Sequence, residues 1–434
     1  MNRTAITSLQ QWKANPRRKP MLLRGARQVG KTWLMKAFGA QEYVQVAYVN
    51  LEVSRNLHSV FEEGFDLRRI ISAIQIETGV AVEPTSTLLI LDEIQECPAA
   101  LTALKYFQEN APEYHLIAAG SLLGVAMHQS VSFPVGKVEF LDLYPMSFHE
   151  FLSAGGQEPL VQAMQAGDWP LVAAFSERLT GLLKQYYFTG GMPEAVSHFI
   201  ESNNYSEVRE IQLRLLAAYE QDFSKHAPYQ QVPRIRMVWQ SITSQLAREN
   251  RKFIYSALRH GARAKEFELA LAWLHDAGLI YKVTRIQKPG LPLSAYEDMN
   301  DFKLFLHDVG LLAAMGGLDP RTLLQGNALF TEFKGALTEQ YALQQLKSAG
   351  LKPFYWTVEK SRAEVDFVVQ VQNEVIPIEI KAEENLKSKS LRVYYDAFAP
   401  RRCLRSSMSN YRAQDWMVNI PLYGLPVGVY GLGG

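Results

Sequence analysis

The sequence predicts an α/β protein in which a parallel β-sheet carries a nucleotide site and smaller modules follow it. Three observations lead to this fold class. A glycine-rich loop follows a short apolar run near the N-terminus, a later aliphatic run ends in two acids, and a Glu-x-Lys pair ends an apolar run near the C-terminus. A chain of 434 residues has room for roughly three domains.

The first feature is a loop that fits G-x-x-x-x-G-K-[ST] at every position. It lies between a predicted strand, Met21-Leu22-Leu23, and a helix-period segment, Trp33–Phe38. Backbone N–H groups of such a loop surround phosphate oxygens, and the helix N-terminus adds partial positive charge. The pattern predicts a P-loop NTPase sheet that binds ATP and Mg²⁺, with Lys31 on the β- and γ-phosphates and Thr32 on the metal. The expected nucleotide contacts are Gly25, Ala26, Arg27, Gln28, Val29, Gly30, Lys31, Thr32 and Trp33.

The second feature is the acidic end of a strand, Thr87–Leu91 followed by Asp92 and Glu93. It comes after a predicted strand at Tyr43–Val49 and a predicted helix at Leu67–Glu77. Four aliphatic residues and two acids are typical of a Walker B motif, in which Asp92 holds Mg²⁺ through water and Glu93 orients or deprotonates the attacking water. The alternative is an acidic strand end without catalytic meaning.

A fourth strand is predicted at Tyr114–Ala119, followed by Gly120 and Ser121. The position of Ser121 resembles sensor 1 of AAA-type ATPases, which bonds the γ-phosphate or the attacking water. Ser121 fits equally well as the N-cap of a helix over Leu122–Met127. For an arginine finger, Arg27 and Lys137 are the candidates, and neither is assigned.

Residues 146–225 are predicted to be helical and to form a lid. Ser147 and Glu150 fit a capping box. Gly190-Gly191-Met192-Pro193 then breaks the helical pattern and restarts a helix with proline in its first turn. On the residues alone, the Gly-Gly-x-Pro element is predicted to be a junction between two helices. A further amphipathic helix is predicted at Ile211–Phe223.

Residues 226–325 predict a winged helix. Helices are expected at Met237–Ala247, Tyr255–His260 and Phe267–Asp276, then a strand at Gly278–Val283 and a wing tip at Lys288–Pro292. Eight basic residues stand against a single acid, Glu249, between positions 234 and 265, which suits phosphate contacts with DNA. They are Arg234, Arg236, Arg248, Arg251, Lys252, Arg259, Arg263 and Lys265. The alternative is an adaptor with solvated charges, and Phe302–Leu312 is predicted as a connector helix.

The C-terminal residues 326–434 predict a second α/β module. A helix over Phe330–Lys347 carries Glu339, a strand over Ala363–Val369 carries Asp366, and a strand over Val375–Lys381 ends in Glu379-Ile380-Lys381. Period-two alternation puts Glu379 and Lys381 on one face. This order, completed by a helix at Leu391–Phe398, fits a PD-(D/E)xK nuclease pattern. Its expected catalytic residues are Asp366, Glu379 and Lys381, and its expected metal ligands are Glu339, Asp366 and Glu379. A solvated strand face or a non-catalytic binding module would show the same residues.

Composition excludes several classes of protein. The net charge of +1 gives no global attraction to nucleic acid or membranes. Cys97 and Cys403 are far apart, which excludes a disulfide scaffold and fits a reducing cytosol. The N-terminus lacks a signal-peptide core and no apolar run approaches about 20 residues, so we expect a cytoplasmic protein without membrane contact.

Taken together, the chain resembles a bacterial and archaeal ATPase family that joins an AAA-type, STAND-related ATPase to a C-terminal restriction-endonuclease-like domain of unassigned function. The residues that carry the resemblance are Arg24–Thr32, Leu91–Gln95, Gly120-Ser121, Gly190–Glu194, Asp308–Leu312, Glu364–Phe367 and Ile378–Lys381. The departures are Lys137 for the usual arginine and Ala118-Ala119 where a threonine often precedes Gly-Ser.

The resemblance implies that the Gly-Gly-x-Pro element is the lid motif that lies against the nucleotide, which adds Pro193 to the nucleotide contacts. It implies an ATPase core at 1–145, a lid at 146–225, a winged helix at 226–325 and a nuclease-like domain at 326–434. The expected function is Mg²⁺-dependent ATP hydrolysis in association with DNA. The alternative is a switch or adaptor controlled by ATP and ADP, and self-association is a further hypothesis about partners.

Overall fold

The computed structural model describes residues 3–121, 123–126, 133–248, 252–325, 331–358, 363–383 and 388–431. The chain divides into two compact units. The first, called here the P-loop unit, comprises Asn2–Tyr144 and the short segment Asp276–Leu279. The second, called here the C-terminal unit, comprises Pro145–His275 and Ile280–Gly434.

The P-loop unit alternates strands and helices, as the sequence predicts. Its elements are α1 (Ala5–Ala14), β1 (Met21–Arg24), α2 (Lys31–Glu42), β2 (Gln45–Asn50), α3 (Asn56–Glu62), α4 (Leu67–Thr78), β3 (Thr87–Asp92), α5 (Pro98–Asn110), β4 (His115–Ala119), α6 (Leu123–Ala126) and β5 (Glu139–Asp142). The strands form a parallel sheet in the order β2-β3-β4-β1-β5. The predicted α/β sheet is therefore present.

Strand order places the predicted site residues at one edge of this sheet. Strand β4 lies between β1, which leads into the glycine loop, and β3, which ends at Asp92. All residues of β3 and β4 are buried, which explains why both read as uninterrupted apolar runs. Because parallel strands end at the same edge, Thr32, Asp92 and Ser121 belong to neighbouring connections there.

The C-terminal unit begins with helices α7 (Phe148–Ala154), α8 (Glu158–Gln165), α9 (Trp169–Ala174), α10 (Ser176–Thr189), α11 (Pro193–Ser202), α12 (Tyr205–His226), α13 (Val232–Leu246) and α14 (Ala264–Asp276), the last residue of which belongs to the P-loop unit. The capping box at Ser147 and Glu150 is present with both of its hydrogen bonds. Helix α11 starts at Pro193, as the Gly-Gly-x-Pro pattern predicts. The predicted helix at Tyr255–His260 is reduced to a 3₁₀ turn, Tyr255–Ala257.

The rest of this unit is built on one mixed sheet. Its elements are β6 (Ile280–Ile286), β7 (Glu297–Leu306), α15 (Val309–Met315), α16 (Pro320–Gln325), α17 (Thr331–Ser348), β8 (Phe354–Thr357), β9 (Glu364–Val371), β10 (Glu374–Ile380), α18 (Lys389–Phe398), β11 (Leu404–Ser407), β12 (Arg412–Ala413), β13 (Val418–Pro421) and α19 (Leu425–Gly431). The strand order is β12-β13-β11-β10-β9-β8-β6-β7. Strands on both sides of the expected boundary at residue 325 thus share a sheet, joined where Arg285 of β6 pairs with Tyr355 of β8.

The predicted connector helix over Phe302–Leu312 is wrong in its first half. Phe302–Leu306 belongs to β7, which pairs antiparallel with β6. Helix α15 starts only at Val309, because the Asp308 side chain caps it by accepting the Leu311 N–H. A short, fully buried strand has no polar alternation, so periodicity cannot distinguish it from a buried helix.

Candidate nucleotide site

The glycine loop owes its shape to backbone conformations that side chains rarely adopt. Gly25 has φ +149° and Gly30 has φ +95°. A Cβ on Gly25 would lie 2.2 Å from the Leu143 carbonyl oxygen, so no larger residue fits. Arg3 fixes the loop from behind by donating to the Val29 carbonyl oxygen at 3.0 Å. The motif therefore forms a curled, anchored loop at the start of α2.

Lys31 is buried within this loop. Its Nζ donates to the carbonyl oxygens of Gly25 and Ala26 at 2.8 and 2.9 Å. Burial lowers the pKa of Lys31 to about 8, opposed by the nearby Glu93 and Asp92 carboxylates and reinforced by the Arg27 cation. The two carbonyls thus hold the ammonium group where a phosphate could compete for it.

Thr32 and Asp92 bring the two nucleotide motifs into direct contact. Thr32 Oγ1 donates to Asp92 Oδ2 at 2.7 Å, and Asp92 is 2% exposed. Tyr48 of β2 donates to the same oxygen at 3.0 Å, and the Glu93 N–H donates to Asp92 Oδ1 at 3.0 Å. A hydroxyl and a carboxylate are hard oxygen donors, so this pair fits Mg²⁺. Tyr48 was not predicted, although its place near the end of β2, beside β3, could have indicated it.

Glu93 lies beside Ser121, while the predicted contact of Ser121 with a γ-phosphate or water stays a prediction. Ser121 Oγ donates to Glu93 Oε2 at 3.3 Å. Gln95, the last residue of the Leu91–Gln95 segment and one for which no role was predicted, donates from Nε2 to the same oxygen at 2.7 Å. Ser121 was also predicted as the N-cap of a helix over Leu122–Met127. The described part of that helix is α6, Leu123–Ala126, and both Leu122 and Met127 lie outside the described residues.

A segment from far along the chain also contacts the glycine loop. The turn Asp276–Leu279 is part of the P-loop unit. A Cβ on Gly278, whose φ is +73°, would lie 3.1 Å from the Ala26 nitrogen and 3.5 Å from its Cα. Gly278 therefore packs against the loop's backbone. No local sequence signal near residue 278 points to this contact.

The remaining predicted nucleotide contacts show varied environments. The side chains of Arg27, Gln28 and Trp33 are exposed, Trp33 at 43%. Lys137, one candidate for the arginine finger, forms an ion pair with Glu109 at 2.9 Å. These facts leave the nucleotide roles of Arg27, Gln28 and Trp33 as predictions.

The Gly-Gly-x-Pro element is part of a buried polar junction within the C-terminal unit. The Gly191 N–H donates to Asp308 Oδ2 at 2.6 Å, and a Cβ on Gly190 would lie 2.2 Å from Asp308 Oδ1. Gln344 of α17 donates to Asp308 Oδ2 at 3.1 Å. The junction ties the helices before Pro193 to α15 and α17, while contact of Pro193 with a nucleotide stays a prediction.

The predicted nuclease-like residues are brought together in part. The β9–β10 register pairs Phe367 with Ile378, so the next position sets Asp366 beside Glu379. Lys381 Nζ lies 2.9 Å from Glu379 Oε1, and Asp366 Oδ2 accepts the Ile380 N–H at 2.7 Å. Burial raises the pKa of Glu379, and the ion pair with Lys381 opposes that shift.

Glu339, the third acid expected there, lies 3.7 Å from the fully buried Lys303 ammonium, which also contacts Glu364. Among the described residues, no three His, Cys, Asp or Glu side chains are placed to share a metal ion. The structure thus places Asp366 beside Glu379, whereas Glu339 has an ion-pair partner in Lys303.

The predicted basic surface is partly neutralised. Lys252 pairs with Asp301 at 2.8 Å, and Arg259 contacts Glu266. Glu249 and Arg251 lie outside the described residues. In the described part of the chain, five cations of this region have no acidic partner: Arg234, Arg236, Arg248, Arg263 and Lys265. Within that same part, no helix is both long and apolar enough to cross a bilayer.

Comparison with protein families assigns the P-loop unit to a class. The AAA domain model matches residues 17–152. Residues 180–322 match a domain of unknown function (DUF8612), and residues 334–424 match another (DUF4143). The chain therefore contains an AAA-type P-loop ATPase domain, followed by regions similar to two families without an assigned role. The comparison with curated proteins found no match.

Solved structures show weaker similarity. The Walker-type ATPase PABY2304 of Pyrococcus abyssi is 15% identical, covers 72% of this chain and 94% of its own, and has a TM-score of 0.42. Cdc6p of Pyrobaculum aerophilum is 12% identical, with 74% and 94% covered and a TM-score of 0.27. The ORC1 protein of Aeropyrum pernix, solved in complex with DNA, is 13% identical, with 73% and 93% covered and a TM-score of 0.27. None of these similarities is strong enough to assign an activity.

Proposed function

We propose that this protein is a Mg²⁺-dependent ATPase of the AAA type that acts in association with DNA. The observation that carries the ATPase proposal is the 2.7 Å contact between Thr32 and Asp92, beside the buried Lys31. Two motifs distant in sequence supply an ammonium, a hydroxyl and a carboxylate to one place, which is what a magnesium-bound triphosphate needs.

The chemistry follows from these groups. Lys31 binds the β- and γ-phosphate oxygens, and Thr32 and Asp92 would hold Mg²⁺, which when bound neutralises phosphate charge. Glu93 takes a proton from a water whose oxygen bonds to the γ-phosphorus, while the bond from that phosphorus to the β–γ bridging oxygen breaks. The products are ADP and inorganic phosphate, and the proton passes from Glu93 to solvent.

Phosphate release by wild type, Lys31→Ala and Glu93→Gln tests the proposal. We expect Lys31→Ala to lose nucleotide binding and Glu93→Gln to bind MgATP but turn over at least about 100-fold more slowly. Lys105→Ala, at a half-buried lysine on α5 of the same unit, is the matched control and should behave as wild type. A wild type without turnover, or Glu93→Gln with unchanged turnover, contradicts the assignment.

DNA association is the second part of the proposal and rests on the five cations around α13 and the start of α14 that form no ion pair with an acid among the described residues, two of which, Arg234 and Arg236, hydrogen-bond neutral oxygens. Neutralising Arg248, Arg263 and Lys265 together should weaken binding of duplex DNA and lower the slope of log K against log salt by up to about 3. Neutralising three exposed cations elsewhere in this unit, Arg392, Arg401 and Lys389, should change neither. Equal losses in both variants would mean that the surface named here is not the DNA site.

A nuclease-like role of the C-terminal strands is a second candidate function. It is favoured by Glu379 Oε2, a buried carboxylate oxygen with no hydrogen-bond partner among the described residues. Asp366 and Glu379 supply oxygen ligands that fit a divalent cation, and Lys381 could position a water. Nicking of plasmid DNA with Mn²⁺ should vanish in Glu379→Gln and persist in Glu383→Gln, an exposed control. Absence of cleavage by the wild type favours a non-catalytic binding module.

The switch or adaptor is the remaining alternative, and the junction at Asp308 is the observation that supports it. We also propose the four expected modules: an ATPase core at 1–145, a lid at 146–225, a winged helix at 226–325 and a nuclease-like domain at 326–434. Contact of Pro193 with the nucleotide and self-association of the chain are further parts of the proposal. A switch predicts slow turnover and a large change of sedimentation coefficient between ATP and ADP. Fast turnover stimulated by DNA, with one sedimentation coefficient, contradicts it.

A further inference from the structure

The strand end that carries Glu93 is folded back on itself. Glu93 has φ 50° and ψ 46°, a left-handed conformation that non-glycine residues rarely adopt. A 3₁₀ turn follows at Ile94–Glu96, with the Glu96 N–H donating to the Glu93 carbonyl at 3.0 Å. This turn brings the side chain two residues later, Gln95, to face the Glu93 carboxylate.

Two donors then converge on one oxygen of that carboxylate. Gln95 Nε2 lies 2.7 Å from Glu93 Oε2, and Ser121 Oγ lies 3.3 Å from the same atom. The orientation of the amide is set by chemistry, because the opposite orientation would put a carbonyl oxygen against a carboxylate oxygen. Both donors use Oε2, which leaves Oε1 of Glu93 for the attacking water.

Gly120 makes room for this arrangement. A Cβ on Gly120 would lie 2.4 Å from Gln95 Oε1, so Gln95 packs on the backbone next to Ser121. Gln95 Oε1 is itself buried and has no hydrogen-bond partner in the described part of the chain. A buried acceptor without a donor is costly, and a catalytic role is one of the recognised explanations for such an exception.

We propose that Gln95 is a positioning residue for ATP hydrolysis, which fixes the Glu93 carboxylate by holding Oε2 so that Oε1 faces the attacking water. The proposal rests on the proposed ATPase function. It assigns a role to Gln95 that acts through Glu93, with Ser121 as the second support and Gly120 as the residue that admits the amide. It predicts an effect on turnover that is separate from nucleotide affinity, because neither amide atom of Gln95 lies on a phosphate-binding group of the loop.

Gln95→Met keeps the length of the side chain and removes the donor. We expect its kcat to fall about 10-fold or more, which is the scale of misplacing a general base, while the dissociation constant for MgATP stays within about 3-fold. Gln75→Met, at a half-buried glutamine on α4, is the matched control and should keep both values. A kcat within about 2-fold of wild type, or parallel losses of kcat and affinity, overturns the proposal.

Gln95→Glu gives a readout that a merely structural role would not move. At neutral pH the introduced carboxylate repels Glu93, whereas its protonated form donates a hydrogen bond to Oε2 and restores the contact. Relative to wild type, kcat of Gln95→Glu should therefore rise as the pH falls from 8 to 6, and Gln95→Met should show no such rise. If Gln95→Met does not fold, the pH profile of Gln95→Glu decides the question. A ratio of its kcat to the wild-type kcat that does not change between pH 8 and 6 overturns the proposal. Absence of turnover in the wild type overturns the ATPase function itself, whereas turnover indifferent to Gln95 overturns only this inference.

Discussion

The contact between Gly278 and the glycine loop gives a prediction with a built-in control. Gly278 has φ +73° and its Cβ position lies 3.1 Å from the Ala26 nitrogen. Gly79 ends α4 in the same unit with φ +69°, and nothing lies within 4 Å of its Cβ position. Alanine at either position costs similar backbone strain, about 1 kcal/mol. Only Gly278→Ala also presses on the loop.

The size of the extra effect follows from the distance. A contact of 3.1 Å is shorter than the roughly 3.5–4.0 Å at which such atoms attract, so the loop must shift by a few tenths of an ångström. Hydrogen bonds to a charged phosphate contribute about 1.5–3 kcal/mol each, and weakening one by a third to a half costs about 1 kcal/mol. We therefore expect Gly278→Ala to raise the dissociation constant for MgATP about 5-fold.

Isothermal titration of both variants with MgATP is the assay, with thermal unfolding measured in parallel. Gly79→Ala should bind as wild type, within about 2-fold, and Gly278→Ala should lose at least as much stability as Gly79→Ala. If the two variants bind MgATP equally, the turn Asp276–Leu279 does not position the loop and the reasoning from the contact fails.

Three further predictions concern stability. Asp308→Ala should lower the free energy of unfolding by at least about 3 kcal/mol in urea titrations, because it leaves the buried Gly191 N–H, Leu311 N–H and Gln344 amide without their acceptor. Gly190→Ala should be comparably destabilised, since its Cβ would lie 2.2 Å from Asp308 Oδ1. Wild-type stability in either variant would contradict a stabilising role of the Asp308 junction. Burial, with the nearby Arg18 and Lys13 cations, lowers the pKa of His115 to about 4. The contribution of the neutral His115 to the free energy of unfolding is therefore complete above pH 6.5 and is lost as the pH falls from 6.5 through 4. The loss is at most about 3 kcal/mol. His115→Phe should therefore flatten the loss of stability between pH 6.5 and 4, and an unchanged acid limb contradicts that assignment.

The parts of the site that the sequence could predict are those with local patterns. The glycine loop, the aliphatic run before Asp92 and the strand before Ser121 are each set by short stretches whose chemistry is local. The strand order then follows from packing these buried strands in parallel, which brings Thr32 to Asp92.

The parts it could not predict depend on contacts between distant segments. Gly278 contacts Ala26 because the chain comes back to the P-loop unit at Asp276–Leu279, far along the sequence. The amide of Gln95 reaches the Glu93 carboxylate because Glu93, at the end of β3, has a left-handed backbone conformation. The buried strand over Phe302–Leu306 reads as helix for the same reason: its partner, β6, decides its conformation. Likewise, Lys303 gives Glu339 an ion-pair partner that no spacing reveals.

Binding of MgATP by calorimetry, in wild type and in Lys31→Ala, tests the central claim most directly. Wild type should bind one nucleotide per chain with a dissociation constant between about 1 μM and 1 mM, and Lys31→Ala should show no saturable binding in that range. A wild-type chain that gives no binding heat at millimolar MgATP, or a Lys31→Ala variant that binds as well as wild type, would contradict the assignment of this loop as the nucleotide site.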